Sequence, residues 1–241
     1  MAPLLEIAAF NAPSALRAAT SGASRIELCT SLQDGGLTPS LETYQTLTSS
    51  LPSSTGNPAI PIHIMIRPHP HSFTYTASEL EKMSDSIRIF SEKGAAAFVL
   101  GVLDGRGLVD VEANRTLISA AAGRPCTFHR AFDEIPPENM EDQLEILIAL
   151  GFEAVLTSGG KRTAWDGRDV LSGLVRRAEG RICVILGGGV RSEGLQALRE
   201  VVCRNDSGDR HVVWHSSAIL EGGGEMCSEE EVRRLRRVLD C

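Results

Sequence analysis

The sequence predicts an α/β protein in which eight parallel strands close into a single (β/α)8 barrel spanning residues 1–241. Three observations point to it. Eight short apolar runs recur at spacings of about 30 residues, with stretches of helical period between them. One helix-to-strand junction is repeated at three places. The length of 241 residues is close to the roughly 250 typical of one such barrel.

In chain order the runs are Leu4–Phe10, Arg25–Cys29, Ile60–Ile66, Ala96–Leu103, Cys126–Ala131, Ala154–Ser158, Ile182–Leu186 and Val212–Ser216. Each is nearly continuous in Val, Ile, Leu and Ala, as strands buried on both faces of a parallel sheet require. Ser49–Pro58 is a polar, turn-rich connection. Asn139–Leu150 places Met140, Leu144, Leu147 and Ile148 on one helix face, with acids near its start where the helix dipole favours them. Ser228-Glu229-Glu230-Glu231 reads as a capping box that opens a last helix with the apolar stripe Val232, Leu235, Val238 and Leu239. The repeated junctions are Ser21–Glu27, Lys93–Val99 and Leu150–Leu156. Each ends a helix on a glycine that can take the left-handed cap and enters a strand about three residues later. Such alternation requires parallel strands joined by right-handed crossovers. An open doubly wound sheet would satisfy it too, but eight strands with no leftover domain favour closure.

The chain is 42% hydrophobic and 23% charged, ordinary for a globular domain with a sizeable core. A formal net charge of −7 argues against a nucleic-acid partner, since phosphate backbones need clustered Lys and Arg. It is compatible with one small anion bound locally. No apolar run approaches the roughly 20 residues of a membrane span, and the N-terminus carries no basic-then-apolar leader. The expectation is a cytoplasmic protein with no membrane partner. The six cysteines form no C-x-x-C pair, so neither a zinc module nor a disulfide scaffold is indicated.

In a barrel of this kind, polar residues at strand C-termini are the functional candidates. Glu6 and Glu27 are carboxylates inside apolar strands, a costly placement unless they are paired or face a wet mouth. Strand parity puts Cys29 on the side of Glu27, Met65 with Arg67, and Thr127 with His129 and Ala131. Arg130 and Asp133 follow near the mouth, and the eighth strand contributes His215 and Ser216. Glu6, Glu27, Arg67, His129, Asp133 and His215 are therefore the candidate catalytic set, the competing reading being a salt-bridged plug. Gly187, Gly188 and Gly189 lead into a helix near Ser192 and, with Ser216, form a candidate anion site, because glycines let backbone amides approach a phosphate at a helix N-terminus. A tight turn explains the same run. The loop Arg67–Tyr75 carries His69 and His71, either solvated or able to ligate a metal.

Several blocks together resemble the CutC copper homeostasis family: Arg25-Ile26-Glu27-Leu28-Cys29, Gly35–Ser40, Met65-Ile66-Arg67-Pro68, Thr127–Asp133, Leu156–Gly160 and His215-Ser216-Ser217. The resemblance runs from about Glu6 to Ser217 and implies a TIM-type barrel, a cytoplasmic homo-oligomer, and a role in copper homeostasis with copper-ion binding. It implies no reaction. This sequence departs from the family pattern at His69-Pro70-His71 and at Ala218-Ile219, where arginines are common, so less positive charge is expected at the mouth.

Cu(I) prefers thiolate and thioether ligands, which makes Cys29, Met65 and His129 the candidate metal donors, with Cu(I) as the bound metal. The alternative is a TIM-barrel enzyme acting on a small anionic metabolite, phosphorylated or not, with His129 or a carboxylate as general base and Arg67 as anion clamp. A catalytically silent oligomeric scaffold is a third reading.

Overall fold

The computed structural model describes residues 3–54, 57–58, 60–203 and 211–241. Its barrel strands are β1 (Leu4–Ala9), β2 (Arg25–Leu28), β3 (Ile62–Met65), β4 (Ala97–Leu100), β5 (Cys126–Phe128), β6 (Ala154–Thr157), β7 (Cys183–Leu186) and β8 (Val212–Ser216). Each lies parallel between its sequence neighbours, and β8 returns to β1, so the sheet is closed. Glu6 stands in register with Arg25 on one side and His215 on the other. That double pairing excludes the open doubly wound sheet.

The main helices are α1 (Ala12–Thr20), α2 (Leu41–Ser50), α3 (Ala77–Glu92), α4 (Val111–Ala120), α5 (Met140–Leu150), α6 (Arg168–Ala178), α7 (Ser192–Val202) and α8 (Glu229–Asp240). Outward strand residues such as Ile7, Ile64, Phe98 and Trp214 join the helices in the main core. Inward residues form two smaller clusters, Ala154, Leu156, Ile185 and Val213 in one, and Ala8, Phe10, Cys29, Met65 and Val99 in the other. Among the described residues no helix is long and apolar enough to cross a membrane.

The repeated junctions take the expected form. Gly22, Gly94 and Gly151 have φ of 109°, 88° and 85°, and β2, β4 and β6 each begin three residues later. On α5, Met140, Leu144 and Leu147 are buried and Ile148 half-buried; on α8, Val232, Leu235 and Leu239 are buried and Val238 half-buried. Between α2 and β3, Ser53–Ser54 pairs antiparallel with Asn57–Pro58.

Two local expectations are corrected. β5 stops at Phe128, and His129 caps a short 3-10 helix, Arg130–Glu134, its Nδ1 accepting from the Ala131 amide at 3.3 Å. The two-residue alternation ends there, so Ala131 packs in the outer core rather than beside Thr127 and His129. The capping box on α8 is only half formed. Ser228 Oγ accepts from the Glu231 amide at 3.2 Å, but the Glu231 carboxylate reaches α7, where it accepts from the Ser192 amide and hydroxyl at 2.8 Å each. The Ser228 amide donates to Ala218 O instead.

Candidate functional site

Strand ends and loops at the C-terminal mouth enclose a cavity of about 210 Å³, with Glu27, Cys29, Met65, Arg67, His129, His215, Gly188, Gly189 and Ser216 among its lining. Most of the candidates therefore share one space. Glu6 lies beneath it and Asp133 beside it.

Glu6 is 1% exposed. Its Oε2 accepts from Arg25 Nε at 2.5 Å, and its Oε1 meets His215 Nδ1 at 2.7 Å. Burial alone would raise its pKa, but Arg25, His215 and His63 outweigh that and hold the carboxyl well below the usual range. His215 is pushed down by burial and more strongly up by Glu27 and Glu6, leaving its pKa raised. Glu27 goes the other way from Glu6, because burial and the Glu6 charge raise it against the pull of His215. The two carboxylates thus divide the labour: Glu6 is the fixed charge of the floor, and Glu27 is the one that takes up a proton more readily. Cys29 Sγ donates to Glu27 Oε2 at 3.5 Å, and burial with that carboxylate pushes the thiol well above its ordinary range.

On the opposite wall, Arg67 donates through Nη1 to Asp34 O at 2.7 Å and Gly36 O at 3.2 Å, and through Nη2 to Pro70 O at 3.1 Å. It ties the loops after β2 and β3 together rather than presenting a free fork. Its guanidinium lies 4.7 Å from the Phe73 ring centroid, and that ring stands 5.0 Å from His129. Burial and the Arg67 charge push His129 down to about 3, so its ring is neutral. Because Nδ1 accepts from Ala131, the ring hydrogen is assigned to Nε2. His129 therefore enters the cavity as an N–H donor, the wrong form for a metal ligand at Nε2.

Three lining side chains carry a buried polar atom with no hydrogen-bond partner: Glu27 Oε1, Arg67 Nε and His129 Nε2. An unmet buried polar group costs about 1–3 kcal/mol, so three around one cavity need a reason.

The glycine run shapes the rim. Gly188 and Gly189 have φ of 101° and 71°, and a methyl on Gly187 would come within 2.7 Å of Leu156 Cδ1. The first amide of α7 is already taken by Glu231, so the run serves the cavity rim rather than a vacant helix end. Ser216 Oγ donates to Val190 O at 2.7 Å and accepts from Ala218 N and Arg191 Nη1, which makes it a post of the wall. Asp133 accepts from Thr157 Oγ1, the Ser158 amide and hydroxyl, the Gly160 amide and Arg130 Nε, and so braces the loop after β6. His69 pairs with Glu79 at 3.3 Å and stacks on His71, outside the cavity.

Sequence reasoning missed four participants. Arg25 and His63 join the floor, and Phe73 and Arg191 join the lining. The parity that placed Met65 also places His63; Phe73 and Arg191 come from loops, where no period signals them. Among the described residues, Arg67, Arg130 and Arg191 line the cavity together with the carboxylate of Glu27. Glu6, Glu27 and His215 also offer three ligand atoms within 4.8 Å of one another. That oxygen and nitrogen set suits a harder cation than Cu(I), and Arg25 and His215 already satisfy Glu6.

The sequence profile of the CutC family matches residues 3–208. A CutC family protein of Porphyromonas gingivalis is 40% identical over 198 residues, covering 82% of this chain and 76% of the relative. The human copper homeostasis protein cutC homolog is 35% identical over 237 residues, covering 95% of this chain and 84% of its own. The crystal structure of a putative copper homeostasis protein CutC from Streptococcus agalactiae superposes with a TM-score of 0.79 at 31% identity, over 88% of this chain and 98% of that one. An orotidine 5'-monophosphate decarboxylase from Methanocaldococcus jannaschii, at 12% identity and a TM-score of 0.62 over the full length of both chains, shares the fold alone.

Proposed function

The chain belongs to the CutC family, and we propose from that membership that it is a copper homeostasis protein whose cargo, Cu(I), is received at the barrel mouth. The observation that carries the reading is the adjacency of two soft donors. Cys29 and Met65 line the same cavity, and a methyl added at Gly36 would lie 3.4 Å from Cys29 Sγ and 3.7 Å from Met65 Cε. Thiolate and thioether select Cu(I) over harder ions. His129 stays a hydrogen-bond donor in this reading and is not a third ligand.

Because the Cys29 thiol is held protonated by burial and Glu27, loading must release its proton. Affinity should then rise about tenfold per pH unit near neutrality. Anaerobic Cu(I) titration against a competing chelator checks this in wild type, Cys29→Ser and Met65→Leu. Both substitutions should weaken binding, Cys29→Ser the more, and should flatten the pH dependence in the serine variant. Equal affinities in all three proteins would remove the mouth from the copper role.

A further inference from the structure

We propose that the mouth cavity also binds a small hydroxylated anion, its charged group held on the arginine side and its hydroxyl between Glu27 and His129. The proposal does not depend on copper binding, because it uses different atoms of the wall.

Three lines support it. First, the unmet atoms are complementary in kind: Arg67 Nε and His129 Nε2 are donors, and Glu27 Oε1 is an acceptor. All three side chains are at least nine-tenths buried, at 7%, 3% and 3% exposure. A bare inorganic anion would satisfy the donors and leave the Glu27 oxygen facing another acceptor. A hydroxyl both donates and accepts, so it matches Glu27 and His129 in kind. Second, the sign of the charge is local. The chain carries a net −7, yet among the described residues Arg67, Arg130 and Arg191 line this cavity with one carboxylate, Glu27. A low-dielectric wall concentrates that field on whatever enters. Third, size limits the ligand. The cavity of about 210 Å³ is smaller than the roughly 300–1,000 Å³ of drug-sized sites, which selects a compound of few carbons.

The division of roles also explains why Arg67 is anchored on three carbonyls. It is fixed before binding, so holding an anion adds no further ordering cost at this side chain. Phe73, packed between Arg67 and His129, keeps the two donors apart at set positions.

The test uses metal-free protein and four probes: glycerol 3-phosphate, glycolate, sulfate and glycerol. Calorimetric titration should show the first two binding more tightly than the last two. His129→Phe, which keeps an aromatic ring beside Phe73, and Glu27→Gln should each weaken the hydroxylated anions by about tenfold, and Glu27→Gln should not weaken sulfate. Because the protein carries no metal in this titration, the binding it reads is separate from copper loading. A second readout needs no variant: in protein labelled with 15N-histidine, the Nε2 signal of one neutral histidine should move with glycolate and not with glycerol. If wild type binds none of the four, or binds sulfate and the hydroxylated anions alike, the proposal is overturned.

Discussion

His129 couples the site to stability. Its ring is neutral in the fold because burial and Arg67 push its pKa from 6.5 to about 3, and His63 on the floor is pushed to about 4 by burial and Arg25. In the unfolded chain both rings take a proton near pH 6.5, so between that pH and the folded values the unfolded state binds more protons. Their contribution is therefore complete above about pH 6.5 and is lost as the pH falls, by at most about 1.4 kcal/mol per pH unit for each ring. Glu6, depressed by its partners, adds to the same trend at lower pH. Glu27 and His215, both raised, act oppositely and lose their contribution as the pH rises through their folded values. His129→Phe isolates one ring from this mixture. Urea unfolding of wild type and variant across pH 4 to 7 should give a shallower acid-side slope in the variant, and identical slopes would show that His129 is charged or wet in the fold.

Whole elements are joined by bonds that run between neighbours rather than within them. Glu231 is the clearest case: it opens α8 in sequence but caps α7, holding the first turn of the helix that follows Gly187–Gly189. Glu231→Ala should cost about 1–3 kcal/mol by leaving the half-buried amide and hydroxyl of Ser192 without their charged partner. Hydrogen exchange should accelerate first in the opening turn of α7, whereas loss confined to α8 would return Glu231 to the local capping role that the sequence suggests. The strands, the glycine junctions and the apolar faces of α5 and α8 were legible because each depends on residues within a few positions of one another. The inward set Glu27, Cys29, Met65, Arg67 and His129 was legible for the same reason, through strand parity. Arg191 and Phe73 were not, since loop residues carry no period. Asp133 was read as a candidate catalyst, but its contacts with Thr157, Ser158 and Gly160 bridge sequence separations of 24 to 27 residues that no local pattern encodes.

At the scale of the whole molecule, the charged floor sits at the seam where the chain closes on itself. Glu6 belongs to β1, and its partners Arg25 and His215 stand on β2 and β8, so one side chain spans the first strand and both of its neighbours. Closure of that seam joins residues 209 positions apart, a contact that forms only when both ends of the chain are in place. A buried ion pair of this kind is weak evidence for net stability, because desolvating its charges offsets their attraction. Breaking it is another matter. Glu6→Gln leaves Arg25, 13% exposed, without its counter-charge and should cost up to about 3 kcal/mol, a large part of the roughly 5–15 kcal/mol that holds a domain folded. The double replacement Glu6→Leu with Arg25→Met removes both charges together and should recover most of that loss, with His215 left to Glu27. Denaturant midpoints of the two variants decide between a floor that is needed for folding and one kept for the site above it. Recovery in the double variant, accompanied by altered titration of Glu27 and weaker binding at the mouth, assigns the Glu6 cluster to tuning the site. A double variant as unstable as Glu6→Gln would instead make the cluster a structural requirement of barrel closure.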